Sequence, residues 1–263
     1  MIITTRVAEL VTATGRYELS LMQDVARSEY GLEIIYGDTD SLFLNNTSKE
    51  LLADFQNRFS KERKIELEIK NNYQKLLVGE GKKHYIGYEN GKLDPVGFEG
   101  GKSDRPEYFH LVYSQLLDDI FKHEIDPIPN VRKAFADLEA NNIDKNLLKI
   151  SKVLSQNPEE YNSQSCQAAE IGKALGRKQG DLIEYYSSNK KITGKSWTLN
   201  PADIDIAHYK ALLWNTISEI LEIAGHSVDE LAEEFDIKSK PKRIIKSNSI
   251  GSLKRNNAGG ESA

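Results

Sequence analysis

Two aspartates stand two residues apart in the stretch 36–41, which reads Tyr-Gly-Asp-Thr-Asp-Ser. Apolar residues precede and follow this stretch, so we predict two strands joined by a tight turn that carries Asp38 and Asp40. We expect Gly37 to supply the backbone freedom that the turn needs. Two negative charges about 4 Å apart repel by roughly 4 kcal/mol at an effective dielectric constant of about 20, so such a pair takes up a proton or binds a cation. Hard carboxylate oxygens at this density favour Mg²⁺.

This pattern has an ordinary alternative interpretation, because Asp and Gly are common turn residues. An Asp-x-Asp spacing alone would favour a plain turn, but the complete hexapeptide between two apolar strands favours a metal site. The hexapeptide resembles the C motif of family B DNA polymerases, which lies on a hairpin of the palm. The resemblance implies catalytic roles for both acids, with Asp40 as the direct Mg²⁺ ligand and Asp38 as its support. Thr39 is then a structural position or a phosphate contact.

A second motif, Lys82-Lys83-His84-Tyr85, follows some forty residues later. Lysines offer point charges to phosphates, and a tyrosine can stack or donate a hydrogen bond to a sugar or backbone oxygen. The quartet resembles the family's Lys-Lys-x-Tyr motif, which holds the primer–template duplex near the junction of palm and thumb. The resemblance implies that Lys82, Lys83 and Tyr85 bind DNA.

The stretch 97–106 is similar to the family segment that follows the lysine motif, with a basic residue and an acid before a helix. Lys102 and Arg105 are the predicted phosphate contacts there. Upstream, Thr12-Ala13-Thr14-Gly15-Arg16 is similar to the family's Thr-x-x-Gly-Arg segment. We expect Gly15 to allow close approach of another backbone. Arg16 could meet a phosphate or an acidic neighbour, and a surface salt bridge is an equally good interpretation.

The elements that position these motifs follow from apolar periodicity. Helices are predicted over 4–29, 47–60, 107–123, 130–141, 165–176, 205–224 and 228–235, and strands over 64–79, 83–88, 92–98 and 179–186. A linker containing Pro127 and Pro129 is expected between two domains. The resemblance implies an α+β fold, a partial palm with an antiparallel sheet and packed helices over 1–125 followed by a mostly helical thumb over 126–237. Residues 238–263 read as a disordered basic tail.

Composition excludes several classes of protein. The chain has 263 residues, 39% hydrophobic and 29% charged, as in soluble globular proteins. It contains no apolar run of membrane-spanning length and no signal-peptide core, so we expect no membrane partner. Cys166 is the only cysteine, which excludes an intramolecular disulfide and a cysteine zinc cluster and fits the cytoplasm. The net charge of −5 hides basic segments at 61–83 and 238–255.

The resemblance covers residues 4–225 and only the C-terminal third of a family B polymerase. The fingers, the palm's earlier A motif with its metal-binding aspartate, and the exonuclease motifs are missing from the sequence. Two-metal catalysis needs more ligands than Asp38 and Asp40. The resemblance therefore implies a partner, a large polymerase subunit carrying these parts, as in archaeal split polymerases. The Met start just upstream of the Thr-x-x-Gly-Arg helix suits such a break, and a cut gene would look the same.

Primer–template DNA, a deoxynucleoside triphosphate and a sliding clamp are the other partners that this resemblance suggests, although the tail holds no strong clamp-binding box. Two other functions stay open. The chain could be a noncatalytic DNA-binding accessory factor that retains the fold. It could also be a stand-alone metal-dependent nuclease, which requires a third carboxylate, with Asp104 as the first candidate.

Overall fold

The computed structural model describes residues 2–38, 40–45, 47–79, 83–98, 100, 105–161, 166–188 and 194–237, without the side chains of residues 2–6 and Asp38. These residues form two compact units. The first falls within residues 1–74 and 80–83, and the second within residues 75–79 and 84–263. The palm and thumb limits at residues 125 and 237 stay a prediction. The basic tail, predicted over 238–263, lies outside the described residues.

The first unit consists of two helices and one hairpin. They are α1 (Ile2–Ser28), β1 (Ile34–Asp38), β2 (Ser41–Leu44) and α2 (Lys49–Arg63). The Ser48 side chain caps α2 by accepting a hydrogen bond from the Leu51 N–H at 3.1 Å. Its core is built from Met22, Ala26, Leu32, Phe55 and Phe59. The two predicted helices and the predicted hairpin are confirmed.

The strand predicted over 64–79 is correct only for its last part. Among the described residues of this range, those paired in a sheet are Lys75–Val78, which form β3. Upstream, Ile65 and Leu67 pack against the core of the first unit while Glu66 is exposed. The alternating pattern therefore came from an extended segment that buries one face, a pattern that side chains produce with or without a neighbouring strand.

The second unit contains a three-stranded antiparallel sheet in the order β3–β4–β5. Strands β4 (Tyr85–Glu89) and β5 (Lys92–Val96) are joined by Asn90 and Gly91, whose φ angles of 50° and 82° are positive. Positive φ at both central residues is the requirement of the tight hairpin turn that Asn-Gly favours. The two strands predicted on either side of this dipeptide are confirmed.

Five α-helices follow in the part of the chain that the structure describes, and all five were predicted. They are α3 (Glu107–Asp118, extended by a π-helical turn over Asp119–His123), α4 (Ile128–Glu139), α5 (Gln167–Leu175), α6 (Ile206–Ile223) and α7 (Val228–Glu234). Pro129 lies in the first turn of α4 rather than in a linker, because the first helical N–H groups need no partner within the helix. The main core includes the fully buried Phe109, Phe135 and Tyr209.

A second antiparallel sheet joins β6 (Ile150–Val153), β7 (Leu182–Ser187) and β8 (Trp197–Thr198). It forms a smaller core with α5. Trp197 and Trp214 are buried, as expected for core anchors. The α+β fold with antiparallel sheets and packed helices is confirmed. Among the helices that the structure describes, none has the length and apolar character needed to cross a membrane.

Candidate functional site

The tip of the β1–β2 hairpin holds the two predicted acids. Asp38 pairs with Ser41 at the end of the ladder, and Asp40 lies in the turn just before Ser41. The Asp40 side chain is exposed. Thr39 and the Asp38 side chain lie outside the described residues. The backbone thus places one exposed carboxylate in the turn and the second acidic position at the last strand residue.

The role predicted for Gly37 is wrong. This residue lies inside β1, opposite Leu42, and is not among the glycines with positive φ. A Cβ atom at position 37 would lie 3.2 Å from Gln23 Nε2 and 3.2 Å from Leu42 Cδ2. Gly37 therefore allows a close approach between the hairpin and α1 and is not a turn residue.

An aromatic row supports the same hairpin within the first unit. The rings of Tyr36 and Phe43 meet edge to face at 5.4 Å, and Phe43 stacks on Tyr73 at 6.3 Å. The Tyr36 hydroxyl accepts a hydrogen bond of 2.7 Å from the Lys83 N–H. Lys83 is exposed and has a φ of 59°. The structure therefore brings Lys83 of the lysine motif to the strand that carries Asp38, a pairing that sequence spacing could not reveal.

The rest of the lysine motif belongs to the second unit. The Gly79 N–H donates to the His84 carbonyl at 2.9 Å, which closes the loop between β3 and β4. Tyr85 is half-buried as the first residue of β4 and pairs with both Val78 and Val96. Lys82 lies outside the described residues. The described part of the motif thus lies just before β4 and at its first residue.

The stretch after β5 is anchored on α3. A Cβ atom on Gly100 would fall 2.0 Å from Tyr113 Cδ2, so the bare backbone of Gly100 lies directly on the Tyr113 ring. His110 Nδ1 lies 3.1 Å from the Gly100 carbonyl oxygen. Arg105 is half-buried just before α3. Lys102 and Asp104 lie outside the described residues. Of the two predicted phosphate contacts, the structure therefore places Arg105.

His84 lies between this stretch and α6. Its Nδ1 atom is 2.7 Å from Glu219 Oε1, and its ring is 5.4 Å from that of Phe98. Burial raises the pKa of the Tyr113 hydroxyl, and the negative charge of Glu219 adds to that shift. Sequence analysis missed Glu219, because it is 135 residues from His84 and sits on a helix that reads as apolar.

The Gly15-Arg16 pair lies on an exposed part of α1. Every residue from 7 to 17 is exposed, and a Cβ atom on Gly15 would meet nothing within 4 Å. The close approach predicted at Gly15 is therefore not made by any residue that the structure describes. Arg16 is exposed as well.

Asp40 is the described carboxylate that this hairpin offers to a metal ion. Within the described part of the chain, no group of three or more His, Cys, Asp or Glu side chains is placed to hold a metal ion. Asp40 offers an exposed carboxylate, which is the ligand type that Mg²⁺ prefers. The donor chemistry thus fits Mg²⁺.

Comparisons with known proteins agree with the motifs. The family model for DNA polymerase family B matches residues 1–194. The chain is 30% identical to DNA polymerase 1 of Saccharolobus solfataricus over 250 residues, covering 89% of this chain and 28% of that protein. It is 28% identical to DNA polymerase 1 of Aeropyrum pernix over 244 residues, covering 86% of this chain and 25% of that protein.

A solved structure is similar as well. The family B DNA polymerase from the hyperthermophilic archaeon Pyrobaculum calidifontis superposes with a TM-score of 0.59 and 27% identity, over 84% of this chain and 30% of that one. The chain thus spans between a quarter and a third of the length of these proteins. The matched family model, the identities and the shared fold together show that this chain belongs to the family B DNA polymerases.

Proposed function

We propose that this chain takes part in DNA-templated DNA synthesis as the part of a family B polymerase that contains the C motif and the thumb. The observation that carries the proposal is Asp40, exposed in the turn of the hairpin whose sequence is Tyr-Gly-Asp-Thr-Asp-Ser. In this proposal Asp40 is the direct ligand of Mg²⁺ and Asp38 supports it. Residues 1–125 form part of the palm, and residues 126–237 form the thumb.

The reaction is nucleotidyl transfer. The primer 3′-oxygen forms a bond to the α-phosphorus of the incoming nucleotide, the bond from that phosphorus to the bridging oxygen breaks, and pyrophosphate leaves. Two Mg²⁺ ions, when bound, lower the pKa of the 3′-hydroxyl and neutralise the leaving group. The chain's own share is to hold a metal ligand on a rigid hairpin and to hold the duplex with Lys82, Lys83 and Tyr85.

The phosphate backbone meets further side chains in this proposal. Arg105 and Lys102 contact phosphates, and Arg16 and Thr39 are additional candidates. Such contacts fix the position of the duplex without reading its sequence. They also make binding depend on salt, because each neutralised phosphate releases counterions.

A second polypeptide supplies the fingers, the A-motif aspartate and the exonuclease. The support is the first half of α1, where residues 7–17 are exposed on all sides. Its apolar side chains Val7, Leu10, Val11 and Tyr17 are between 54% and 67% exposed. They recur at helical spacing and so share one face. We infer that this face packs on the partner, which also binds the nucleotide.

Primer extension tests the catalytic assignment. The chain is co-purified from its native host with the polymerase polypeptide that binds it, and extension is compared with Asp40→Asn in place of the native chain. We expect a loss of about 10²-fold or more, the size seen when one transition-state contact is removed. Asp24→Asn, an exposed acid on α1 with the same charge change, should extend primers at the native rate.

Equal extension by the native chain and Asp40→Asn would contradict the catalytic role. If the lone chain binds primer–template but the pair shows no synthesis that depends on Asp40, the chain is a noncatalytic accessory factor. Mg²⁺-dependent cleavage of DNA by the lone chain would instead identify a nuclease.

A paired substitution tests the partner surface. Leu10→Glu together with Val11→Glu places two charges on the apolar face of α1, and we expect capture of the partner to be lost. Ala8→Glu with Thr12→Glu adds the same charge to another face of that helix and should preserve capture. Both variants should unfold like the native chain, since these positions are exposed. Capture that survives Leu10→Glu with Val11→Glu would contradict this interface.

A further inference from the structure

One packed cluster of the second unit holds the ends of both stretches that are assigned to DNA. His84 ends the loop that contains Lys82 and Lys83, and Phe98 begins the stretch that contains Lys102. The two rings lie 5.4 Å apart, and Phe98 is buried. The two stretches therefore meet in one packed cluster.

Helix α6 contributes a charged side chain to this cluster. Glu219 Oε1 lies 2.7 Å from His84 Nδ1, and both side chains are about one-third exposed. A Cβ atom on Gly79, at the other end of the lysine loop, would lie 3.2 Å from Glu219 Oε1 and 3.1 Å from Ile223 Cδ1. The Gly79 N–H also donates to the His84 carbonyl at 2.9 Å, so the residue that Glu219 contacts is itself bonded to the Gly79 backbone.

Gly100 of the second stretch packs against α3. Gly100 lies on the Tyr113 ring so tightly that a Cβ atom would fall 2.0 Å from it. The Tyr113 hydroxyl is buried, and none of the residues that the structure describes forms a hydrogen bond with it. The negative charge of Glu219 adds to the raised pKa of this hydroxyl. Glu219 is thus central to the cluster.

We propose that Glu219 is a positioning residue for duplex binding, which holds His84 in place between Lys83 and β4. The inference rests on the proposed function, because it takes Lys82, Lys83 and Tyr85 to bind the duplex. The sign of its effect is unusual. A negative charge near a phosphate-binding surface opposes DNA binding, so its removal should tighten binding if charge alone mattered. A positioning role requires that removal weakens binding.

The test compares two substitutions with the same charge change on one helix. Glu219→Gln should weaken binding of a primer–template duplex by the full chain about fivefold, because the amide keeps an acceptor for His84 but loses the charge that strengthens the bond, a difference of about that size. Glu222→Gln, three residues further along α6 and exposed, should leave affinity unchanged or slightly tighter. Fluorescence anisotropy at several salt concentrations measures both. The logarithm of the affinity falls linearly with the logarithm of the salt concentration. If the Glu219→Gln variant loses one phosphate contact, this fall should become less steep by about 0.9.

A second variant keeps the proposal falsifiable. His84→Phe retains an aromatic ring for Phe98 and removes the contact with Glu219. It should weaken binding by a similar factor, and its effect should not add to that of Glu219→Gln in the double variant. Amide hydrogen exchange gives a readout that needs no DNA, because exchange at Gly79 should accelerate when the loop ends loosen.

The outcomes separate this inference from the proposed function. If Glu219→Gln binds the duplex as tightly as the native chain or more tightly, or if exchange at Gly79 is unchanged, the positioning role is wrong while duplex binding stands. If the native chain does not bind the duplex at all, the duplex-binding part of the proposed function fails and this inference fails with it. Additive effects of His84→Phe and Glu219→Gln would also overturn the role, because two residues acting through one contact cannot act independently.

Discussion

Helices α1 and α6 are the two longest in the structure, and they are packed very differently. Helix α1 has 27 residues and α6 has 18. Among its described side chains, α1 buries only Met22 and Ala26, both in its second half. Helix α6 buries seven side chains along its whole length, namely Tyr209, Leu213, Trp214, Thr216, Ile217, Ile220 and Leu221. The first half of α1 has apolar residues at helical spacing as well, but they face solvent.

Residues of this chain cover the apolar face of α6, but the described residues do not cover the apolar face in the first half of α1. Most helical stability in proteins comes from packing of an apolar face rather than from propensity. Helix α6 has this support from the chain itself. The exposed residues 7–17 of α1 do not, which supports the proposal that a second polypeptide covers them. Matched substitutions in the two parts of the molecule test this difference.

The largest contrast is expected for a leucine on each helix. Leu213 is fully buried and Leu10 is 67% exposed. Leu213→Ala removes buried methyl groups and leaves a cavity, so it should cost about 2–5 kcal/mol of unfolding free energy. Leu10→Ala should change that free energy by about 0.5 kcal/mol or less in the isolated chain. Urea unfolding followed by circular dichroism measures both, and equal costs would refute the contrast.

Gly100, which is packed against α3, and Gly15 in the exposed half of α1 give a second pair. Gly100→Ala forces a Cβ atom into the Tyr113 ring, and such overpacking should cost about 1–3 kcal/mol. Gly15→Ala meets nothing within 4 Å in the described structure and improves helix propensity, so it should stabilise the isolated chain by up to about 1 kcal/mol. Thermal unfolding measures both variants.

Gly15→Ala also tests whether the exposed half of α1 binds a partner. If a partner backbone approaches α1 at this glycine, the same variant that stabilises the isolated chain should weaken capture of the partner. Unchanged capture would mean that the predicted close approach at Gly15 does not occur, whereas a destabilised isolated chain would mean that residues 7–17 are packed in solution.

Periodicity was sufficient to predict the helices and the two hairpins, because each signal lies within one window of the chain. It failed where a local pattern had two structural explanations. The alternation over 64–74 fits a paired strand and an extended segment on a core equally well. Gly37 stands beside a turn in sequence, but its contacts are with α1 and Leu42.

The parts of the candidate site that sequence could not provide are long-range pairings. The Tyr36 hydroxyl reaches the Lys83 N–H across 47 residues, and His84 reaches Glu219 across 135. Neither partner carries a local signal, because a hydrogen bond between distant residues leaves no periodicity in one sequence. The roles proposed for Asp38 and Asp40, by contrast, came from a motif of six adjacent residues.

The smallest contrast is expected for one threonine on each helix. The Thr216 hydroxyl in α6 donates to the Leu212 carbonyl at 2.8 Å and is buried, whereas the Thr12 hydroxyl in α1 lies 2.9 Å from the Glu9 carbonyl and is exposed. Valine has nearly the shape of threonine without the hydroxyl. Thr216→Val should cost about 0.5–1 kcal/mol, because water cannot replace the lost hydrogen bond inside the core. Thr12→Val should be neutral within about 0.5 kcal/mol, since water reaches the freed carbonyl. Urea unfolding distinguishes these values, and a cost at Thr12 as large as that at Thr216 would show that this half of α1 is shielded from water even in the isolated chain.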